Sequence, residues 1–547
     1  MLTLSRRSVL IVGAAAIAAT PAIAGAALLD GEFAHGVASG DPDQQSVVIW
    51  TRVTPLTSAP GGRVKWEVAN DEAFREIVAA GEMVSGPARD WTVKAIARGL
   101  APGRTYYYRF HAKNAASPVG RTKTLPQGAV DMARFAVVSC SSYAAGFFNV
   151  YDLIAREEEI DAVIHLGDYI YEYGGERGAA IGRRHEPPWD IVTLSDYRRR
   201  HAQYKTDPSS RAMHARHPLI AIWDDHEVAD NSWKGGANNH DIASDGDWDV
   251  RRRAALQAYY EWMPVREPDG APEAFFRHFA YGDLLTLAAF ETRLMARDRQ
   301  IAYGDMRALK TPEEVEAFRT GMLWDESRNR LGAAQLDYFE RVWREADDRG
   351  TKWRVVANQI LMAKVNTPDL TRRFTEEDIA DMERTWRSAR SFVEFSANGL
   401  MIAPDSWDGY PAARERLYDR VRKSEGGLIV LTGDTHAWWA NDLTDQHGQH
   451  MGVELGVHAV SAGAAFSRES YGGKGAEYAR FLTEENDDVR FVSGESNGFI
   501  DLRIERDGAT AVYRGVDTVE SEDYQSLVRA QFEITRLDGI PEFAKAV

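Results

Sequence analysis

The chain has 547 residues, 44% of them apolar, with 15 tryptophans and 21 tyrosines; this is enough to fill two substantial cores and excludes a disordered or fibrous protein. Its 65 basic residues stand against 82 acidic ones, a formal charge of −17, so the surface as a whole repels nucleic-acid backbones and anionic membranes, and no dedicated nucleic-acid partner is expected. Any phosphate must therefore be captured locally, which a cluster of metal cations achieves because bound cations dominate the field around them.

The first segment reads as an address. Ser5-Arg6-Arg7-Ser8-Val9-Leu10 precedes an Ala-rich apolar run through Ala19 and the small-x-small site Ala22-Ile23-Ala24, the layout of a signal peptide over residues 1–24. The twin arginines point to the Tat export machinery, and the apolar run is well short of the roughly 20 residues that span a bilayer. A periplasmic or secreted protein without a stable membrane anchor is expected. Tat carries folded proteins, so a metal loaded before transport fits this route. Cys140 is the single cysteine, which excludes an intramolecular disulfide and leaves either an inert core residue or a working thiolate.

Residues 30–126 read as an all-β domain. Val47-Val48-Ile49-Trp50-Thr51-Arg52-Val53, the alternation over 63–68 and Thr105-Tyr106-Tyr107-Tyr108-Arg109-Phe110 are strands, and Gly99-Leu100-Ala101-Pro102-Gly103 is a turn signal. The pattern resembles an immunoglobulin or fibronectin III domain. Beyond it, residues 131–547 alternate apolar runs with amphipathic stretches. The runs 135–138, 162–166, 219–223, 284–290, 353–357 and 428–431 predict buried strands. The stretches 149–159, 248–263 and 335–346 predict helices. Together they make a layered α/β domain, and the late β alternation over 489–492, 499–504 and 509–514 is expected to extend a second sheet.

Metal-type residues recur at the C-terminal ends of the buried strands, where open α/β sheets place ligands: Cys140, Asp168 and Tyr171, Asp224 and Asp225, Asn358, and Asp434 with His436. Asp168 can bridge two cations, with Gly167 giving backbone room. Tyr171 can return to the same site as a phenolate, which a strong Lewis acid such as ferric iron would hold deprotonated. Cys140 offers a thiolate to that metal, and Asp434 and His436 face one side of an extended segment. Asp225 is placed for a second metal, leaving His226 to act on a leaving group. Asp224 reads as a hydrogen-bond acceptor behind the ligands, Glu227 as a helix-start residue or a partner for His226, and His165 as a satisfied core histidine. The run Arg251-Arg252-Arg253 reads as a solvated helix edge from which one arginine, turned inward, would hold a phosphate oxygen.

Gly-Asp-x-x-Tyr, Asp-His-Glu after a strand and Gly-Asp-x-His resemble the calcineurin-like metallophosphoesterases, with the tyrosine pointing toward purple acid phosphatases. Those begin with Asp where this chain has Cys140, carry Asn-His-Glu for Asp225-His226-Glu227 and end in His-x-His for Asp434-Thr435-His436; the departures are those of PhoD-like alkaline phosphatases. The same resemblance covers His35-Gly36-Val37-Ala38-Ser39-Gly40-Asp41-Pro42, His165-Leu166-Gly167-Asp168-Tyr169-Ile170-Tyr171-Glu172 and Asp405-Ser406-Trp407-Asp408-Gly409-Tyr410-Pro411. It implies a four-layer metallophosphoesterase-type β-sandwich flanked by helices. It further implies Fe3+ held by Cys140, Asp168, Tyr171 and His436, and one or two Ca2+, or another divalent metal, held by Asp168, Asp225 and Asp434. Asn358 stands near a histidine ligand of related enzymes. The family's Asp-Thr-Arg-x-Tyr-Arg is replaced by Glu291-Thr292-Arg293-Leu294-Met295-Ala296-Arg297, so substrate contact from that loop is expected to differ. The resemblance also suggests a helix over the site from 536–547, on which the segment's own pattern does not decide.

The expected activity is hydrolysis of phosphate monoesters, and also diesters, by a metal-bound hydroxide, with His226 and Asp225 as catalytic residues. The rival readings are a phospholipase D with the same metals and a non-catalytic calcium-binding surface protein.

Overall fold

The computed structural model describes residues 26–544 apart from Ala59, so the expected signal segment over 1–24 lies outside the described residues. Excluding two-residue strands, the N-terminal region contributes β1 Val37–Gly40, β2 Ser46–Arg52, β3 Gly62–Ala69, β4 Ile77–Ser85, β5 Thr92–Arg98, β6 Thr105–His111 and β7 Gly120–Lys123. Alternation decides the inner faces: along β6, Tyr106, Tyr108 and Phe110 are buried while the residues between them are half-exposed. These side chains meet Val47, Ile49, Val64 and Val68 in one core between the antiparallel sheet β4-β3-β6-β7 and the trio β1-β2-β5.

The rest of the chain adds β8 Met132–Val138, β9 Ala162–His165, β10 Leu219–Ala221, β11 Arg277–Tyr281, β12 Leu285–Ala289, β13 Trp353–Ala357, β14 Leu428–Thr432, β15 Trp438–Thr444, β16 His450–Gly456 and β17 Val489–Ser493. It closes with β18 Gly498–Glu505, β19 Ala509–Val516, β20 Ser526–Leu537 and β21 Ile540–Phe543. Two sheets result, a ten-stranded one in the order β21-β20-β19-β18-β8-β9-β10-β1-β2-β5 and a seven-stranded one in the order β11-β12-β13-β14-β16-β15-β17. Within them β8, β9 and β10 run parallel, as do β12, β13 and β14. Parallel strands are covered on both faces, which is why their sequences are continuous apolar runs.

Phe135, Val137, Ile164 and Ile220 of the first sheet pack on Leu287, Val355, Ile429 and Leu431 of the second. Helices close the outer faces: α1 Asn149–Ala155, α2 Leu194–Thr206 and α3 Trp248–Trp262 cover the first sheet, and α4 Gly332–Asp348, α5 Pro411–Val421 and α6 Gly475–Glu485 cover the second. The four-layer α/β sandwich expected from the sequence is present, with the all-β region at its N-terminal end.

Three local expectations change. The N-terminal β region is not self-contained, because β1 pairs in parallel with β10 through Gly40 and Leu219, so its strands extend the ten-stranded sheet. The late strands divide, β17 edging the seven-stranded sheet while β18 and β19 pair beside β8 in the other. Through Ala544 the C-terminal segment is not a helix over the site but a hairpin: Asp538 and Gly539 take φ of 52° and 83° and fold β21 back on β20. An Asp-Gly pair with both residues left-handed is a tight hairpin turn, and this outweighs a helical reading of so short a segment.

Candidate metal centre

Site residues leave their strands through backbone that L-residues rarely adopt. Cys140 after β8 has φ 58°, Asp168 after β9 has φ 55°, and Asp434 and His436 after β14 have φ 61° and 51°. Each left-handed non-glycine residue costs on the order of 1 kcal/mol or more and persists where surrounding structure holds it, which is most often at functional sites. Gly167 between β9 and Asp168 has φ 105°, and a Cβ there would lie 2.4 Å from Cβ of Asp224. Only glycine lets these two ligand-type loops approach so closely.

In one half of the site, Cys140 Sγ lies 3.4 Å from Asp168 Oδ2, and the Tyr171 hydroxyl lies 3.2 Å from the same oxygen and 3.1 Å from His436 Nε2. His436 Nδ1 donates to the Gly463 carbonyl at 2.8 Å, which turns Nε2 inward. Burial, then the nearby Asp168 charge, pushes the Cys140 thiol up, and burial likewise raises the Tyr171 phenol; burial pulls His436 down to about 4. Without a cation, all three donors are neutral near pH 7.

The other half is made of carboxylates. Ligand atoms of Asp168, Asp225 and His226 lie within 4.8 Å of one another, as do those of Asp224, Asp225 and Asp434 and, in the first half, those of Cys140, Asp168 and His436. Asp168 belongs to both halves. Arg293, fully buried, reaches Asp224 Oδ2 at 3.0 Å, Asp434 Oδ1 at 2.9 Å, Asp225 Oδ1 at 3.5 Å and Asp405 Oδ2 at 3.3 Å. Burial, reinforced by neighbouring carboxylates, pushes Asp168 and Asp434 well above the usual range. Asp225 goes the other way: burial opposes its charge, but Arg293 and His226 hold it low.

His226 Nδ1 is 2.7 Å from Glu172 Oε2, with its ring 4.4 Å from that of Tyr171. Burial opposes the imidazolium, yet Glu172, Asp225 and Asp168 raise it well above the usual histidine value. The orienting carboxylate is thus Glu172 and not the adjacent Glu227. Glu227 instead accepts the backbone N–H of Asp168 at 3.0 Å, Tyr169 at 2.7 Å and Asp224 at 2.9 Å, which ties the two loops together. Asp224 is a hydrogen-bond acceptor, as read from the sequence, with Arg293 as its donor. His165 is a satisfied core residue bonded to the Tyr151 hydroxyl at 2.8 Å. Arg251 is turned inward but spends itself on the Tyr197 hydroxyl and the Ile191 carbonyl.

Asn358 follows β13 as expected, yet its amide is engaged: Trp407 Nε1 donates to Oδ1 at 3.0 Å and Nδ2 donates to the Ile360 carbonyl. The arrangement brings together Cys140, Asp168, Tyr171, Asp225, His226, Asp434 and His436 and ties the Asn358 amide elsewhere. Sequence reasoning assigned no role to Arg293, Glu172, Asp405 or Asn231. Asn231, at φ 53°, donates its N–H to Asp225, and its Oδ1 is buried without a hydrogen-bond partner, as is Asp225 Oδ1. Glu172, Asp405 and Arg293 lie inside quoted motifs, but only the folded chain pairs them with the ligands.

A cation fits this donor set. The buried Asp168, Asp224 and Asp225 and the half-buried Asp434 face one arginine and one histidine, and Asp225 Oδ1, 3.5 Å from Arg293, receives no hydrogen bond.

The layered sandwich with metal-type side chains at its strand ends places the chain in the metallophosphoesterase class of fold. The PhoD-like phosphatase family profile matches residues 135–513, and the profile of its N-terminal domain matches residues 18–126. Alkaline phosphatase D of Bacillus subtilis (strain 168) is 35% identical over 526 residues, covering 91% of this chain and 80% of that protein. A solved structure of PhoD superposes with a TM-score of 0.77 at 32% identity, covering 95% of this chain and 93% of the other. The chain belongs to the PhoD-like phosphatase family and is an enzyme of that family.

Proposed function

We propose that the protein is an exported, metal-dependent phosphoesterase that hydrolyses phosphate monoesters and also diesters, with residues 131–547 as the catalytic unit and 30–126 as the entry domain. One observation carries the reading: Asp168 sits in both donor groups, so a pair of cations sharing its carboxylate accounts for both halves at once. Fe3+ is assigned to Cys140, Asp168, Tyr171 and His436, because thiolate and phenolate suit a strong Lewis acid. One or two Ca2+ are assigned to Asp168, Asp225 and Asp434, whose oxygen donors suit a hard cation. When bound, these cations neutralise charge on the phosphoryl oxygens of the ester.

The chain's own groups do the rest. Glu172 holds the His226 proton at Nδ1 and orients the ring, so that the imidazolium donates to the departing alkoxide oxygen. The Gly463 carbonyl fixes the His436 tautomer. Arg293 braces Asp225 and Asp434 against their mutual repulsion. The twin-arginine segment supports delivery to the periplasm or beyond by the Tat machinery.

Elemental analysis and a visible spectrum of protein purified from its export route test the metal assignment. Iron with a broad phenolate charge-transfer band is expected, and zinc alone would overturn it. Release of phosphate from a monoester and a diester, against release of choline from lecithin, separates this activity from that of a phospholipase D. Undiminished phosphate release by Asp168→Asn and His436→Ala would instead remove these two side chains from the proposed metal sites.

A further inference from the structure

We propose that the cavity opening on His436 receives the organic group of the phosphate ester, and that Ala145 and Ile181 set the size of group it admits. The inference rests on the phosphoesterase reading and deepens it by naming the favoured substrates: esters of bulky, uncharged aromatic or aliphatic alcohols.

The cavity measures about 570 Å³ and is lined by Ala144, Ala145, Ala180, Ile181 and Ala464 beside His436. This lies within the range of roughly 300 to 1,000 Å³ that holds small organic ligands. A phosphoryl group held next to His436 faces this space, and Cys140 and Tyr171 pack with Ala459 and Ala462 behind it. The charged lining residues Arg177 and Glu520 are both exposed and opposite in sign. Their fields offset each other, so the cavity discriminates by size and not by charge.

Its walls come from separate parts of the chain and are fitted to each other. One follows β8 and carries Ala144 and Ala145. The other is the single 3-10 turn Ala179–Ile181, set between Gly178 at φ 78° and Gly182 at φ 72°. A Cβ at Gly178 would lie 2.5 Å from the Ala144 carbonyl oxygen, so the two walls touch there. Arg183 pins the second wall by donating to the Tyr143 carbonyl at 2.9 Å and to Asp207 at 3.0 Å. The Ile181 side chain remains partly exposed beside the opening.

The test uses the metal-loaded full chain and the kcat/KM ratio for 2-naphthyl phosphate over phenyl phosphate, whose leaving groups are of similar acidity but different bulk. Ala145→Trp and Ile181→Trp are each expected to lower that ratio by about tenfold or more, with iron and calcium content at the wild-type level. A wild-type ratio in folded, metal-loaded variants overturns the proposal. Should Ala145→Trp fail to fold, Ile181→Trp decides alone, because its site is partly solvent-exposed. A wild-type holoenzyme that cleaves neither ester would refute the monoesterase reading on which the proposal rests, an outcome distinct from a ratio that does not move.

Discussion

The two halves of the metal centre solve the burial of polar groups in opposite ways. Around Cys140, Tyr171 and His436 the donors avoid charge, the thiol and phenol driven up by burial and the imidazole driven down. Around Asp224, Asp225 and Asp434 burial raises the Asp224 and Asp434 carboxyls, while Arg293 and His226 hold Asp225 low. In the first half a metal would have to displace protons from the thiol and the phenol, so its binding should strengthen as pH rises. The second holds an ion pair between Asp225 and Arg293 and is built from oxygen, which suits a hard cation. Asp168 stands in both donor groups, and burial with the neighbouring Asp225, Asp224 and Glu227 raises its carboxyl against the pull of His226.

Changes at the joint should have the largest effect. Asp168→Asn is expected to lower kcat/KM by about 10³-fold or more and to reduce iron and calcium together, since its carboxylate would hold both proposed cations; elemental analysis beside kinetics measures this, and loss of one metal alone would break the coupling. Cys140→Ser should act on one half, lowering iron occupancy and the visible band while calcium persists, with turnover down by about 10²-fold. Equal loss of both metals would mean that the halves are not separable.

Glu172→Gln leaves the metals in place but removes the carboxylate that orients His226. A fall in kcat of about 10 to 10²-fold is expected for alkyl esters and a smaller one for aryl esters with good leaving groups, because an acid matters most where the leaving group needs its proton. Equal losses on both ester classes would remove His226 from that role. The smallest effect is reserved for Asn358→Ala, whose amide is committed to Trp407 and Ile360. It should cost about 1 to 2 kcal/mol of stability in chemical denaturation by leaving the Trp407 N–H unpaired, with metal content retained; metal loss on this substitution would bring Asn358 into the centre.

Much of the architecture was legible before folding. Strand β13 occupies the run 353–357 read from the sequence, and α3 follows its expected stretch to within a residue, because buried parallel strands and amphipathic helices each write a period of their own. The C-terminal hairpin is less legible: the pattern of 536–547 leaves a helix undecided, and the Asp538-Gly539 turn is what folds the segment back. Pairing partners were least legible. Glu227 adjoins His226 in sequence and looked like its carboxylate, yet the curl after β9 delivers Glu172 instead.

By itself, then, the sequence determined the elements and which residue types stand at strand ends, because these follow from periodicity and from side-chain chemistry read one position at a time, while its motifs carried the resemblance to the family. Only the tertiary structure decided that the Asp168 carboxylate stands in two donor groups, that Arg293 pairs with the acidic half and that Asn358 is tied up elsewhere. Those facts depend on distances between residues far apart in the chain, and burial turns such distances into charge states.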